Sequence, residues 1–313
     1  MYHFGQLIIS IRSSQPTEYP FLTPKLSFDW DIVSHYYSAM SARSESAPLA
    51  ALRATVRTFP SALLGYSGGV DSALLAVVLR AELGRDRMVA AIGRSASYPA
   101  AQWETARDLA ARFDVPLVEI ATRELEDPDY LANSPNRCFF CKTELWSRLV
   151  PEARARGLAV VCDGTNADDL REHRPGRAAG LAARIRSPLA EAGLTKSAVR
   201  EAARVLQLPI WDAPAAPCLS SRVQYGLPVT PARLQQVEEG EAYLRGLGVT
   251  GDLRVRHLGD AARIEVEPRW ISWLQAHSGD VTARLSDLGF ARVEIDPRGY
   301  RRGSLLADRT ASR

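Results

Sequence analysis

The stretch ALLGYSGGVDS, Ala62 to Ser72, decides the fold of this chain. Its first five residues, Ala62 to Tyr66, are a continuous apolar run, which predicts a strand covered on both faces. From Asp71 to Leu83, apolar residues recur at helical spacing and predict a helix. A glycine-rich turn therefore joins a buried strand to a helix, an arrangement that can place a helix N-terminus against an anion.

The turn carries the groups that a phosphate site needs. Gly68 and Gly69 permit positive φ and a close approach of a ligand, so that successive N–H groups converge on an anion. Ser67 and Ser72 can donate hydroxyls to phosphate oxygens, and Asp71 can hold Mg²⁺ or begin the helix. No lysine stands in the Walker position and no GxGxxG is present, which excludes P-loop kinases, GTPases and a dinucleotide fold. A plain glycine-rich turn before a capped helix is the alternative.

Strands and helices alternate after this turn. The predicted strands are Met88–Ile92, Leu117–Ile120 and Leu158–Cys162. The predicted helices are Leu52–Phe59, Pro99–Phe113, Cys141–Arg156 and Thr195–Leu206, the last with Thr195 as N-cap. This alternation predicts an α/β fold with a doubly wound parallel sheet over residues 49–212.

The stretch Trp211–Pro217 predicts a linker. Beyond it, strands and helices no longer alternate in the same way. The elements expected there are a helix at Pro231–Leu247, strands at Leu253–Val255 and Arg263–Val266, a helix at Trp270–Leu288 and a strand at Arg292–Ile295. They predict a second, smaller α+β domain over residues 213–300, followed by a frayed tail at 301–313. Residues 1–48 lack a sustained period, so we expect a mobile extension, with a packed cap as the alternative.

Composition narrows the functional classes. The chain has 313 residues and a net charge of +3 without a basic stripe, which favours a small anionic substrate over nucleic acid. No apolar run approaches the roughly 20 residues of a membrane helix, and the N-terminus lacks the pattern of a secretory signal. We therefore expect a cytoplasmic protein without membrane contact, and a homo-oligomer.

Four cysteines indicate metal or redox chemistry in such a chain. Cys138 and Cys141 precede a predicted helix, whose N-terminus should lower the pKa of both thiols. Together with Cys218 they can hold three irons of a [4Fe–4S] cluster and leave the fourth iron open. Zinc would need a fourth ligand, for which His173 is the nearby candidate. Unligated reduced thiols are the remaining alternative, and Cys162 is expected in the core.

The turn at Ser67–Ser72 resembles the PP-loop signature of ATP pyrophosphatases. The resemblance implies Mg²⁺-dependent cleavage of ATP between its α and β phosphates, with adenylation of an acceptor. The segment DGTNADD at 163–169 resembles the second signature that closes the same site, which adds Gly164, Thr165 and Asn166 to the ATP-binding residues. A solvated loop is the alternative for its last two acids.

Residues Leu49 to Pro297 resemble the LarE family of sacrificial sulfur transferases. The resemblance is carried by the motifs above followed, in this order, by SPLAEAGLTKSAVREAA, PIWDAPAAPCLSSRVQYG and RVRH. The most specific segment is PCLSSRVQYG. The resemblance implies that ATP adenylates a carboxylate of pyridinium-3,5-biscarboxylic acid mononucleotide, and that sulfur then forms a thiocarboxylate on the way to the nickel-pincer cofactor. One branch of the family sacrifices a single cysteine at the position of Cys218. Another uses three cysteines and a [4Fe–4S] cluster, and the three cysteines here favour that branch.

The resemblance also assigns further site residues. Cys218 and Asp71 are the expected catalytic residues, and the substrate phosphate is expected at Ser221, Arg222, Arg254 and Arg256. The last two alternate to one face of a strand, where two guanidinium groups suit a phosphate, whereas an exposed strand face is the alternative. Glu265 and Glu241 correspond to acids near a second divalent ion. The segment Arg171–Arg174 departs from the acid-rich stretch that the family would have.

Three rival functions remain open on sequence alone. A tRNA thiolase can also join a PP-loop to a CxxC and a distant cysteine, but should carry a basic RNA-binding domain. A non-catalytic nucleotide-binding regulator would bind ATP without releasing pyrophosphate. An amide synthetase would need an ammonia source, and the sequence has no glutaminase domain.

Overall fold

A computed structural model describes residues 46–172 and 174–306 of the protein. The predicted N-terminal extension up to Glu45 lies outside the described residues, as do His173 and the tail from Ala307 onward. Within the described ranges, no helix has the length and apolar character that a membrane span requires.

The first domain is built on a four-stranded parallel sheet in the order β3-β2-β1-β4. Its strands are β1 (Ala62–Gly65), β2 (Met88–Arg94), β3 (Leu117–Ala121) and β4 (Val160–Cys162). Its helices are α1 (Ala47–Arg57), α2 (Val70–Leu83), α3 (Ala100–Arg112), α4 (Pro128–Leu131), α5 (Arg137–Ala155), α6 (Pro175–Ala182), α7 (Pro188–Glu191) and α8 (Lys196–Val205). Every predicted strand and helix of this domain is present, with ends shifted by a few residues.

Helices cover both faces of the sheet, as the doubly wound prediction requires. Leu64 points into the core formed with α1, α2 and α8, whereas its neighbour Leu63 packs with Trp146 and Leu149 of α5. Both leucines are fully buried. Burial of such a side chain contributes roughly 1.5–3 kcal/mol, so the continuous apolar run of β1 stabilises both layers at once.

Helix α5 begins four residues earlier than the sequence predicts. It starts at Arg137, so Cys138 and Cys141 lie in its first two turns and not ahead of it. The prediction that the CxxC pair precedes the helix is therefore wrong. In contrast, α8 begins as predicted, because the Thr195 hydroxyl accepts a hydrogen bond from the Ala198 N–H at 3.2 Å.

The second domain contains a three-stranded mixed sheet. Its elements are α9 (Pro231–Gly246), β5 (Leu253–His257), β6 (Ala261–Val266), α10 (Ile271–Ala276), α11 (Ser278–Asp287) and β7 (Arg292–Ile295). Strands β5 and β6 are antiparallel, and β6 and β7 are parallel. This architecture confirms the predicted α+β domain.

Two expectations for this domain need correction. The single helix predicted at Trp270–Leu288 is two helices, with a break at His277. The His277 ring lies 2.7 Å from the Trp273 carbonyl, and His277 is followed by a Ser-Gly pair of low helix propensity. The tail expected from residue 301 is packed at its start, since Ser304 and Leu305 are buried.

Backbone hydrogen bonds join the two domains beside the linker, which is non-helical as predicted. The Leu219 N–H donates to the Ser97 carbonyl at 2.8 Å, and the Val229 N–H donates to the Leu131 carbonyl at 2.9 Å. The segment that follows the linker is therefore fixed against the sheet domain.

Candidate functional site

The turn between β1 and α2 depends on one glycine more than on the other. Gly68 has a φ of 67°, and a Cβ there would lie 2.5 Å from the Cβ of Ala106. Gly69 has a φ of −76°, so the expected positive φ at both glycines holds only for Gly68. Backbone conformation and close packing both require glycine at position 68.

Neighbouring side chains fix the orientation of the turn. The Ser67 carbonyl accepts hydrogen bonds from the Tyr98 hydroxyl at 2.9 Å and from the Gln102 amide at 2.6 Å. The hydroxyl oxygens of Ser67 and Ser72 lie 3.2 Å apart at the start of α2. The two hydroxyls that the sequence assigns to phosphate are thus brought together at a helix N-terminus.

Asp71 lies at the meeting point of three segments. One of its carboxylate oxygens accepts a hydrogen bond from Asn166 at 3.1 Å, and the other forms an ion pair with Lys196. Sequence reasoning missed Lys196, although the residue stands in the SPLAEAGLTKSAVREAA segment. Nothing local could identify it, because 125 residues separate it from Asp71. Lys196 brings a cation to a phosphate loop that has no Walker lysine.

The DGTN segment packs directly on the phosphate loop. A Cβ on Gly164 would lie 2.9 Å from the Ser72 nitrogen, so only glycine allows this contact. The Thr165 hydroxyl donates to Asp163 at 2.9 Å. The carboxylate of Asp168 accepts the Lys196 backbone N–H at 2.8 Å, so it is an anchor for α8 and not a freely solvated loop acid.

The turn that carries Cys218 packs against the start of α5, which carries Cys138 and Cys141: the Arg137 guanidinium donates to the Ser220 carbonyl at 2.7 Å, and Cys141 and Leu219 share one hydrophobic cluster. We call this contact region the thiol recess. Cys138, Cys141 and Cys218 lie close enough for a charge on Cys218 to raise the pKa of the other two. Cys162 is fully buried in the sheet core, as predicted. All four thiols are free.

The expected thiolate character of the CxxC pair is wrong. Burial, and then the charge of Cys218, raise the pKa of Cys141 to about 12. Cys138 keeps solvent-exposed surface, yet desolvation, and then the charge of Cys218, raise its pKa. The positive charge of Arg137 lowers this pKa but does not outweigh them. Desolvation thus outweighs the helix N-terminus, and the unligated pair is protonated at neutral pH.

The turn that carries Cys218 is held by side chains from both domains. The Arg222 guanidinium donates to the Cys218 carbonyl at 2.9 Å, and the Ser221 hydroxyl donates to the same carbonyl at 2.7 Å. The Ser220 hydroxyl lies 2.6 Å from the Tyr130 hydroxyl. Ser221 and Arg222, which the resemblance assigns to a substrate phosphate, are engaged here in positioning Cys218.

A cluster of arginines and acids lies on β5, β6 and α9. Arg256 forms an ion pair with Glu265 at 2.8 Å, and Arg222 is bidentate to Glu241 at 3.0 and 3.1 Å. Arg254 donates instead to the Ala215 carbonyl at 2.6 Å. Arg254 is 4% exposed and Arg256 6%, so the alternative of an exposed strand face is wrong.

Arg254 is the arginine of this cluster best placed for an added anion. Within the described part of the chain, its guanidinium has no carboxylate at ion-pair distance. Burial, and then the charge of Arg222, lower its pKa. A phosphate beside Arg254 would oppose both effects.

The described residues, 46–172 and 174–306, contain no group of three or more His, Cys, Asp or Glu side chains close enough to hold a metal ion. The carboxylates of Glu241 and Glu265 form ion pairs with arginines. A second divalent ion at these two acids therefore stays a prediction. A [4Fe–4S] cluster takes one thiolate on each of several irons, and its ligands therefore stand farther apart than those of a single ion. Ligation of a cluster by Cys138, Cys141 and Cys218 therefore stays a prediction.

The chain is similar to known proteins over most of its length. It is 33% identical over 256 residues to the pyridinium-3,5-bisthiocarboxylic acid mononucleotide synthase of Lactiplantibacillus plantarum, covering 82% of this chain and 92% of that protein. It is 43% identical over 246 residues to an uncharacterized protein of Synechocystis, covering 78% and 91%. An uncharacterized protein of Methanocaldococcus jannaschii is 31% identical over 241 residues, covering 76% and 90%. No sequence-family model matches the chain.

Proposed function

Because the chain belongs to the LarE family, we propose that it is an ATP-dependent sulfurtransferase. Its substrate in this proposal is pyridinium-3,5-biscarboxylic acid mononucleotide, one carboxylate of which becomes a thiocarboxylate. The observation that carries the proposal is the packing of the Cys218 turn against the start of α5, which holds Cys138 and Cys141, in a chain that also has the Ser67–Ser72 turn. The two sites supply the two halves of the chemistry, activation and sulfur transfer.

The phosphate loop supports the activation step. In this step a substrate carboxylate oxygen attacks the α-phosphorus of ATP, and pyrophosphate leaves with the bonding electrons. Lys196 and the hydroxyls of Ser67 and Ser72 are placed to offset negative charge on the phosphates. Asp71 is the ligand we expect for the Mg²⁺ of Mg·ATP, and Asn166 holds its carboxylate in place.

The thiol recess supports the sulfur-transfer step. A hydrosulfide sulfur attacks the acyl carbon of the adenylate, the carbon–oxygen bond breaks, and AMP leaves with its electron pair. The hydrosulfide proton passes to solvent, so the product is a thiocarboxylate. When bound, a [4Fe–4S] cluster held by Cys138, Cys141 and Cys218 supplies an open iron at which sulfide is retained.

The arginine cluster supports recognition of a mononucleotide. Arg254 is buried and has no carboxylate partner in the described residues, so its charge is available to a substrate phosphate. A guanidinium group binds phosphate with paired donors. Arg222 and Arg256 keep their acidic partners in this scheme and hold the Cys218 turn and the strand in register.

The test is an anaerobic assay with ATP, the pyridinium mononucleotide and sulfide. Phosphorus NMR should find AMP and pyrophosphate as products, and mass spectrometry should find the thiocarboxylate. ADP as the main phosphate product would contradict adenylation. ATP binding without pyrophosphate release would instead favour the nucleotide-binding regulator.

Two variants serve as matched controls for that assay. Asp71→Asn removes one charge from the phosphate loop and should abolish pyrophosphate release, with a loss of about 3 kcal/mol or more of transition-state stabilisation. Asp86→Asn removes one charge from an exposed turn and should leave the rate unchanged.

A further inference from the structure

Arg254 carries a buried charge that no carboxylate neutralises in the parts of the chain that the structure describes. Its neighbours Arg222 and Arg256 are paired with Glu241 and Glu265. The Arg254 guanidinium instead donates to two backbone carbonyls, at 2.6 Å each. An unpaired charge is costly away from water, so neutral groups must stabilise this one.

An aromatic ring provides a further neutral contact for this guanidinium. The central carbon of the Arg254 guanidinium lies over the Tyr300 ring, 5.1 Å from the ring centroid. The face of a tyrosine ring attracts a cation, and the attraction is stronger where the pair is shielded from water. Unlike a carboxylate, the ring carries no net charge. It therefore stabilises Arg254 and leaves the positive charge available to an anion.

Tyr300 is fixed by contacts of the chain on both sides of it. Its N–H donates to the Val266 carbonyl of β6 at 2.7 Å. Gly299, which precedes it, has a φ of 68°, and a Cβ there would lie 2.7 Å from the same carbonyl, so the turn requires glycine. On the other side, the Ser304 hydroxyl donates to Glu265 of β6 at 3.0 Å, and both residues are buried. The ring is thus held over Arg254 by a segment that is fastened to the sheet at two points.

We propose that Tyr300 is a positioning residue of the substrate-phosphate site, because its ring holds Arg254 as a cation without a counter-ion for the phosphate of the mononucleotide. The inference rests on the proposed function for the identity of that substrate. Tyr300 lies beyond Pro297, where the sequence resemblance ends. The proposal adds an aromatic residue to a site for which the sequence indicated three arginines and a serine.

The experiment separates the electrostatic effect of the ring from its shape. Tyr300 is replaced by phenylalanine or by pentafluorophenylalanine, which has a similar shape but the opposite ring quadrupole. Isothermal titration calorimetry, without ATP or sulfide, gives the Kd of each protein for the pyridinium mononucleotide. Tyr300→Phe should bind as the wild type does, because the ring face is kept. The fluorinated protein should bind about threefold to tenfold more weakly, because its ring face repels the guanidinium.

Two comparisons show whether the effect passes through Arg254 to the phosphate. The nucleoside that lacks the phosphate should bind all these proteins alike, and a parallel loss of nucleoside affinity would overturn the proposal. Pentafluorophenylalanine in place of Tyr243 is the matched control, since Tyr243 packs on the core of the same domain, and it should leave the Kd unchanged. Equal affinities of the phenylalanine and pentafluorophenylalanine proteins at position 300 would mean that only ring shape matters and would also overturn the proposal.

Tyr300→Leu covers the case in which the fluorinated protein does not fold. It should lose the same threefold to tenfold or so in mononucleotide affinity and none in nucleoside affinity. Wild-type affinity in Tyr300→Leu, or a wild-type protein that does not bind the mononucleotide, would sink the inference. A protein that shows the predicted affinities but forms no thiocarboxylate fails the proposed function and keeps the inference, whereas normal turnover that is indifferent to Tyr300 does the reverse.

Discussion

At the residue scale, Lys196 supplies the positive charge that the phosphate loop lacks in its own sequence. Its ammonium pairs with Asp71, and its backbone N–H is held by Asp168. We expect Lys196→Met to lower kcat/KM for ATP by about 100-fold, the usual loss for one charge-stabilising group. Pyrophosphate release, measured against ATP concentration, checks this.

The control for Lys196→Met replaces another cation of helix α8 with methionine. Arg204→Met removes an exposed cation that pairs with Glu201 at 2.7 Å, and it should leave kcat/KM within twofold or so, as expected of a surface pair. Lys196→Arg should recover part of the activity, because it restores the charge. Wild-type kinetics in Lys196→Met would remove Lys196 from the phosphate site.

The four cysteines are expected to have two roles: three bind the cluster, and Cys162 packs in the core. We expect Cys138→Ser, Cys141→Ser and Cys218→Ser each to lower the iron and sulfide content of anaerobically reconstituted protein. Cys162→Ala should leave that content unchanged, because Cys162 lies in the sheet core and outside the thiol recess. Equal iron loss in all four variants would indicate unfolding and would contradict three-point ligation.

At the element scale, the strand–turn–helix unit depends on the fit of α3 against Gly68. Gly68→Ala should lose roughly 1–2 kcal/mol for the left-handed backbone. Overpacking against Ala106 should add about 1–3 kcal/mol. Urea unfolding measures the free energy, and ATP binding should be lost as the turn is displaced.

Gly157→Ala isolates the backbone contribution. Gly157 also has a positive φ, of 68°, but a Cβ there would meet no atom within 4 Å. This variant should lose the backbone contribution alone and should bind ATP normally. Equal losses at the two positions would mean that contact with α3 contributes nothing to the turn.

The elements themselves were predictable where the apolar pattern was continuous. The run at β1 predicted a strand correctly, because a strand that is buried on both faces is apolar throughout. The recurrence of apolar residues at helical spacing likewise predicted α2. The start of α5 and the break at His277 were not predictable. A helix end depends on tertiary contacts, and those of α5 involve Asn133 and Ser220, which are remote in sequence from each other.

At the scale of the whole molecule, the two sulfur routes make different demands on the chain. A sacrificial route needs only the Cys218 thiol as nucleophile, whereas a cluster route needs three thiols. We expect the cluster route, because Cys138 and Cys141 share the recess with Cys218. The protein should keep its intact mass after a turnover and should work repeatedly when sulfide is supplied.

Anaerobic single-turnover mass spectrometry, with and without sulfide, distinguishes the routes. Loss of the mass of one H₂S at Cys218 in cluster-loaded protein would identify the sacrificial route. The ATP chemistry would then stand unchanged. Cys218→Ser should be inactive by either route, so it verifies that the assay reports on this site.

The sequence by itself determined the α/β fold, the smaller α+β domain, the family and the strand–turn–helix unit at Ala62–Leu83. Each of these follows from a local period or a short motif, which neighbouring residues define among themselves. Tertiary structure alone decided that Lys196 meets Asp71, that Arg137 donates to the Ser220 carbonyl, and that burial keeps Cys141 protonated. Charge partners and desolvation depend on segments far apart in the chain, so no local pattern encodes them.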